Sequence, residues 1–201
     1  MNVRCLMLLL AGVLCFPTLS RSQDFGVLES AETIDRGNFK LLATPILVFG
    51  KGGGRESHIV LGAGYGATPN LDIEGKVAFG DTTLFGGNVE YWMVKRNPLD
   101  LSIIGGVHFQ PSDGPFDVLG FDVTLLGSKH VAPKLEVYGA LDLTFNRFTE
   151  DFPDNTFTQA HLVPGIEYAL SDQLDFVAEL GLGVNDSSRH YFGLGVAYYL
   201  R

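Results

Sequence analysis

Two histidines, in segments whose apolar and polar residues alternate, are the side chains best suited to acid–base or metal chemistry. His108 and His161 fall on the same polar face as Asp122, Asp142 and Glu167. Imidazole and carboxylate groups exchange protons near neutral pH and bind transition metals. The spacing, however, contains no His-x-His or His-x-x-x-His element that would give two ligands from one strand or helix. We therefore expect hydrogen-bonded histidines, with no metal, no cofactor and no catalytic residue.

The elements that carry these residues alternate between apolar and polar side chains with a period of two. In residues 99–110, for example, Leu99, Leu101 and Ile103 alternate with Asp100 and Ser102. Side chains of a strand point to opposite faces in this way, and the 25 glycines are too many for helices. The predicted strands are 37–50, 56–67, 71–80, 82–95, 99–110, 116–129, 134–147, 157–170, 174–185 and 190–200.

The connections between these segments are of two kinds that alternate along the chain. Short polar turns recur, and each is followed by Leu and an acid, as in Leu71-Asp72 and Leu174-Asp175. The other connections vary in length, from the single Asp81 to residues 148–156. This pattern predicts an all-β fold, an up-and-down antiparallel transmembrane β-barrel with two unlike ends. Ten strands are expected, with eight as the alternative if two segments pair outside the barrel.

The alternation alone does not decide which face of the strands points inward. An inward apolar face would give a soluble, lipocalin-like periplasmic or secreted barrel around an apolar ligand. An outward apolar face would give a membrane barrel. The nearly uncharged apolar face favours the membrane, and so does strand length, since a tilted spanning strand needs about 9–11 residues.

Aromatic residues of the apolar face collect near the strand ends, as in the two aromatic girdles of membrane barrels. The predicted girdle residues are Phe39, Phe49, Tyr65, Phe85, Tyr91, Phe109, Phe145, Tyr168, Phe176 and Tyr198.

The opposite, polar face would then line the interior of the barrel. Acids dominate it, with Lys76 and Lys40 as the clear cationic residues. Either a narrow, hydrated, cation-preferring passage or a filled polar core follows from such a lining. The predicted lumen-lining residues are Glu74, Lys76, Glu90, Asp100, His108, Asp122, Asp142, His161, Glu167 and Glu179.

The N-terminus predicts export. Residues 1–22 read as a signal peptide, with Arg4, an apolar stretch over residues 6–16 and cleavage near Ser22. A periplasmic N-terminal lead-in is expected at residues 23–36 and the barrel at residues 37–201. Loss of Arg4 and Arg21 reduces the 14 basic residues to 12 against 23 acidic ones, a net charge near −11 that argues against nucleic-acid binding.

This pattern resembles the small outer-membrane β-barrel proteins of Gram-negative bacteria, the class of the OmpA barrel, OmpX and OmpW. The resemblance covers nearly all of the mature chain and names a class, with no close relative. It implies location in the outer membrane, short turns toward the periplasm and variable loops outside. The partners it implies are outer-membrane lipid and lipopolysaccharide, the barrel-insertion machinery, and small cations or solutes.

The expected function is a non-enzymatic one, structural or that of a narrow pore. A hydrolase of the outer-membrane protease type is a second alternative, and it would need Asp and His pairs at the loop-side rim. The loops look too short to build a substrate cleft. The candidates at that level are His58, Asp81, Asp113, Asp117, Asp186 and His190.

Overall fold

A computed structural model describes residues 25–50, 54–81, 83–96, 98–112, 116–150 and 155–201. The leader predicted at residues 1–22 lies outside these ranges, as do residues 51–53 and 151–154 of two predicted loops. Across the described ranges, no helix is long and apolar enough to cross a membrane.

Ten antiparallel strands form a closed barrel with up-and-down strand order. The strands are β1 (Phe39–Phe49), β2 (Arg55–Thr68), β3 (Leu71–Gly80), β4 (Leu84–Arg96), β5 (Leu99–Gln110), β6 (Val118–Ala132), β7 (Leu135–Phe148), β8 (Thr156–Ser171), β9 (Leu174–Gly183) and β10 (His190–Leu200). The ring closes between β1 and β10, where Phe39 lies opposite Leu200 and Phe49 opposite His190. The predicted ten-stranded barrel is confirmed and the eight-stranded alternative is wrong, because all ten segments pair within the ring.

The strand pairs joined by the short turns each carry a register shift beside the turn. These shifts separate Gly66 from Thr68, Trp92 from Val94, His130 from Ala132, and Ala169 from Ser171. An extra residue on one strand bends it and increases its twist. β6 also continues past its predicted end at Lys129, and His130, which precedes the shift, pairs with Glu136 near the rim. We call this rim the turn end and the opposite rim the loop end.

Large apolar side chains cover the outside of the barrel. Leu125 and its cross-strand neighbours Ile103 and Leu141 are 50%, 39% and 42% exposed, whereas the adjacent Thr124 and Leu126 point inward and are buried. A lipocalin-like barrel has the reverse arrangement, with its apolar face inward. The outward apolar face therefore excludes that alternative.

The first described residues run through the inside of the barrel. Residues 25–31 are buried, as are Thr33 and Ile34, although residues 25–38 form no strand. We call residues 25–35 the luminal segment. The sequence analysis predicted a periplasmic lead-in over residues 23–36; from residue 25 onward the structure places it within the barrel, where its apolar side chains are removed from water.

The outward face gives a direct test of which surface meets lipid. Leu125 lies in the middle of β6, and Leu99 is the outward first residue of β5 at the turn end. We expect Leu125→Arg to lower the free energy of unfolding in lipid vesicles by about 2–4 kcal/mol and Leu99→Arg by only about 0–1 kcal/mol, because the cost of a charge depends on its depth. Denaturant titration in vesicles measures both. Equal costs at the two positions would contradict a membrane-spanning outer face.

Candidate functional site

Glycines of the inner wall leave the space that the luminal segment fills. A Cβ atom added at Gly86 would lie 2.6 Å from the Phe25 ring, and one added at Gly64 would lie 2.6 Å from Cδ1 of Ile34. At Gly66 an added Cβ would overlap the backbone of the segment itself. The wall and the segment therefore have complementary shapes from near the loop end to the turn end.

The carboxylate of Glu179, which is 2% exposed, anchors the middle of the segment. Its Oε1 accepts hydrogen bonds from Val27 N–H and Tyr191 O–H, both at 3.0 Å. Its Oε2 accepts hydrogen bonds from Leu28 N–H at 2.7 Å and Tyr138 O–H at 2.9 Å. Hydrogen bonds to a charged group contribute about 1.5–3 kcal/mol each, so this one side chain holds both the segment and the tyrosines in place.

Two further wall side chains bond to the backbone of the segment. Ser128 Oγ on β6 accepts a hydrogen bond from Ala31 N–H at 3.1 Å, and Asp72 Oδ2 on β3 accepts one from Ile34 N–H at 2.8 Å. The backbone of the wall is committed to strand pairing, so inward side chains must supply these acceptors. Together with Glu179, they fix the segment to three sides of the barrel.

A buried cluster of two lysines and two glutamates adds a charged contact. Lys40 Nζ lies 2.8 Å from Glu29 Oε2 and also pairs with Glu74. Lys76 Nζ lies 3.7 Å from Glu29 and 3.5 Å from Glu74, and it donates a hydrogen bond to the Val27 carbonyl at 3.3 Å. Glu29 belongs to the segment and the other three to the wall. Within this cluster of four side chains the charges balance while the segment is inside, and its removal leaves the two lysines with one of their two glutamate partners.

The backbone of the segment bends sharply where it meets Glu179. Gly26 has φ of 75°, and Leu28 has φ of 60°, a left-handed conformation that a side chain such as leucine rarely adopts. Such a conformation costs about 1–3 kcal/mol and persists only where surrounding contacts enforce it. The hydrogen bond from Leu28 N–H to Glu179 supplies that enforcement.

The structure places all ten predicted lumen-lining residues on the inward face. Glu74, Lys76, Glu90, His108, Asp142, His161 and Glu179 are buried, and Asp100, Asp122 and Glu167 are partly buried. Only some of them touch the luminal segment. The sequence analysis did not include Ser128, Asp72 or Glu29 in this set, although they hold the segment.

The two histidines lie in hydrogen-bonded surroundings on the inner wall. His108 Nδ1 is 2.9 Å from Asp122 Oδ2, and its Nε2 is 3.0 Å from Asn146 Oδ1. His161 Nε2 is 3.0 Å from the Arg189 carbonyl oxygen, and its Nδ1 lies 3.8 Å from Asp142 Oδ2. Among the described residues, neither histidine belongs to a group of three side chains that could ligate a metal.

The predicted girdle residues all lie on the outward face near a strand end. Phe39, Tyr65, Phe85, Tyr91, Phe109, Phe145, Tyr168 and Tyr198 are exposed, and Phe49 and Phe176 are partly buried. Two pairs are direct cross-strand neighbours: Phe39 with Tyr65 at the turn end and Phe85 with Phe109 at the loop end. Their contact with the lipid interface stays a prediction.

Two side chains proposed for a rim hydrolase instead bond to strand backbone at the loop end, Asp81 to β2 and His190 to β9. Asp81 Oδ2 accepts a hydrogen bond from Ser57 N–H at 2.7 Å, and His190 Nδ1 accepts one from Gly183 N–H at 3.1 Å. These contacts stabilise the turns. Asp113 lies outside the described residues.

Two cavities flank the luminal segment. One of about 420 Å³ opens at the turn end between the segment and β6 to β10, and we call it the mouth cavity. The other, about 40 Å³, lies beside Phe25 and Gly26 within the barrel. The inner cavity is large enough to hold water.

The sequence matches the family described as the outer membrane protein beta-barrel domain over residues 6–199. The chain belongs to this family. Membership places this outer-membrane barrel in the bacterial outer membrane and agrees with its outward apolar face.

Solved structures of outer-membrane proteins are similar to this barrel at low sequence identity. An outer-membrane channel from Pseudomonas putida F1 has a TM-score of 0.58 and 9% identity, over 89% of this chain and 100% of that one. The KdgM porin has a TM-score of 0.45 and 10% identity, over 81% and 99% of the two chains. The outer-membrane protease OmpT from Escherichia coli has a TM-score of 0.42 and 11% identity, over 85% and 100%. No curated protein matches the chain.

The anchoring role of Glu179 predicts the effect of an uncharged replacement. In Glu179→Gln, one acceptor oxygen is replaced by an NH₂ group that faces donors, so we expect the docking of the segment to weaken by about 1–3 kcal/mol. Hydrogen exchange of the Val27 and Leu28 amides should accelerate about 10- to 100-fold, while the strand amides keep their protection.

The matched control is Glu56→Gln, which makes the same chemical change at the loop-end ion pair with Arg189. It should leave the exchange of residues 27 and 28 unchanged. Equal protection of those amides in wild type and Glu179→Gln would refute the anchoring role.

Proposed function

We propose that this outer-membrane barrel is a non-enzymatic channel for small cations that its own luminal segment closes at rest. The observation that carries the proposal is the position of residues 25–35. The segment fills the lumen, yet it is attached through side-chain contacts and is not a strand of the wall. It can therefore leave without breaking the strand pairing of the barrel.

The resting state is closed on this proposal because the segment occupies the passage. Beside Phe25 and Gly26 the inner cavity has a volume of about 40 Å³. The buried side chains of Phe25, Val27, Leu28 and Ile34 oppose departure of the segment, since exposing one large apolar side chain costs about 1.5–3 kcal/mol. The strained Leu28 backbone offsets part of this cost. Opening is expected to be infrequent.

The cation preference follows from the charges that remain on the wall. Without the segment, Lys40 and Lys76 face a larger number of inward carboxylates, among them Asp72, Glu90 and Glu179. A narrow lumen of one sign concentrates ions of the opposite sign.

An engineered disulfide tests whether the segment closes the passage. Ala31 N–H bonds to Ser128 Oγ, so the two side chains are neighbours, and both native cysteines lie in the predicted leader. We expect oxidised Ala31→Cys/Ser128→Cys protein to show no openings in planar bilayers and the reduced protein to recover the infrequent, cation-selective openings of wild type. Reversal potentials in a KCl gradient report the selectivity.

The single variants Ala31→Cys and Ser128→Cys are the controls, and reductant should not change their currents. Equal currents from the oxidised and reduced double variant would show that the segment does not close the passage. An absence of current from every protein, with or without reductant, would favour the structural alternative of a permanently filled barrel.

A further inference from the structure

Three side chains from separate parts of the chain meet at the edge of the mouth cavity. Glu32 lies on the luminal segment, His130 near the end of β6, and Glu136 opposite it on β7. His130 Nε2 is 3.0 Å from Glu32 Oε1 and 3.9 Å from Glu136 Oε2. One donor atom from each of the three residues lies within 4.8 Å of the others. No two of these ligands come from one short motif, so the spacing in sequence gives no sign of the cluster.

The burial of the Glu136 carboxylate is an independent indication that the three residues bind a cation. This glutamate is 4% exposed and lines the mouth cavity. Its carboxylate faces the hydroxyls of Ser128 and Ser30 and the ring of His130, and its Oε1 has no hydrogen bond of good geometry among the described residues. A buried carboxylate oxygen without a partner is costly, and a bound cation removes that cost.

The donor set fits a divalent transition metal of the zinc type. Zinc takes imidazole nitrogen and carboxylate oxygen at about 2.0–2.2 Å, which puts tetrahedral ligands about 3.4 Å apart. The two distances from His130 Nε2, 3.0 and 3.9 Å, lie on either side of that value. Small movements of the exposed Glu32 and His130 side chains bring all three donors to one ion. Water from the mouth cavity can complete the coordination.

We propose that Glu32, His130 and Glu136 form a binding site for a divalent transition metal such as Zn²⁺, which fastens the luminal segment to the rim formed by β6 and β7. The metal takes the place of the hydrogen bond between His130 Nε2 and Glu32 Oε1, with His130 in the tautomer that carries its proton on Nδ1, and leaves both carboxylates bound to one cation. The binding site stands independently of the proposed channel. Its consequence, that bound metal holds the channel closed, rests on that proposed function.

Binding is tested with Zn²⁺ alone, titrated calorimetrically into the full-length mature protein in detergent micelles. Wild type should bind one ion. His130→Ala and Glu32→Gln should each weaken binding at least about tenfold, since loss of even an outer partner of a metal site costs about 10- to 100-fold in affinity. His130→Cys should retain binding because a thiolate is also a zinc ligand, a result that a merely structural role for His130 would not produce.

The matched control is His190→Ala, which removes a different exposed histidine at the loop end. It should bind Zn²⁺ as wild type does. Failure of wild type to bind Zn²⁺, or equal binding by wild type and His130→Ala, would overturn the proposed site.

Bilayer currents then separate the two proposals. If the channel conducts, micromolar Zn²⁺ should reduce the openings of wild type and leave those of His130→Ala unchanged. Zinc binding by a protein that never conducts would refute the proposed channel and support the proposed metal site. Conduction by a protein that binds no zinc would refute the proposed metal site and support the proposed channel.

Discussion

The interior of this barrel is governed by the need to satisfy buried polar groups without help from the wall backbone. Strand pairing uses the backbone of β1 to β10 around a closed ring, so a chain inside has no sheet edge to join. The luminal segment solves this through side chains: Glu179, Ser128 and Asp72 accept four of its N–H groups. The inward carboxylates of Glu179 and Asp72 are therefore acceptors for the chain that fills the lumen.

The same constraint makes the wall and the segment depend on each other. Without the segment, Glu179 loses two of its donors and the Lys40–Lys76 pair loses one of its carboxylates. Breaking a buried ion pair by removing one partner costs about 3–5 kcal/mol, unless water enters and replaces it. A dry, empty lumen is thus unfavourable, and departure of the segment must be coupled to hydration of the wall. A filled state and a hydrated state are the two arrangements in which the charges are satisfied.

The sequence was sufficient to predict the strands of the barrel wall, because the alternation of outward and inward side chains recurs at every second residue of a strand. Leu99 to Gln110 alternates along its whole length, and the polar turns limit the ends, so β3, β5 and β10 match their predicted bounds. The luminal segment has no such period. Its position depends on single contacts, such as Val27 with Glu179, between residues far apart in the chain. The inward glycines indicated free volume inside the barrel, but they do not identify the residues that fill this volume. The meeting of Glu32 with His130 likewise depends on β6 reaching past its predicted end at Lys129.

The path of the segment also determines from which side it can be controlled. At the turn end it continues directly into β1, and Gly37 N–H and Gly66 N–H form backbone hydrogen bonds that tie this junction to β2. Phe25, at the other end of the described segment, packs deep inside against the His108 ring. On the proposed opening, withdrawal would pivot on the junction at the turn end and would move Phe25 the farthest of the described residues. The contacts that must break first in that movement lie beside the pivot, at Asp72, Ser128 and the mouth cavity. If the short turns face the periplasm, as the resemblance to outer-membrane barrels implies, a periplasmic ion or partner acts on the pivot directly, whereas an external ligand must act through the full length of the segment.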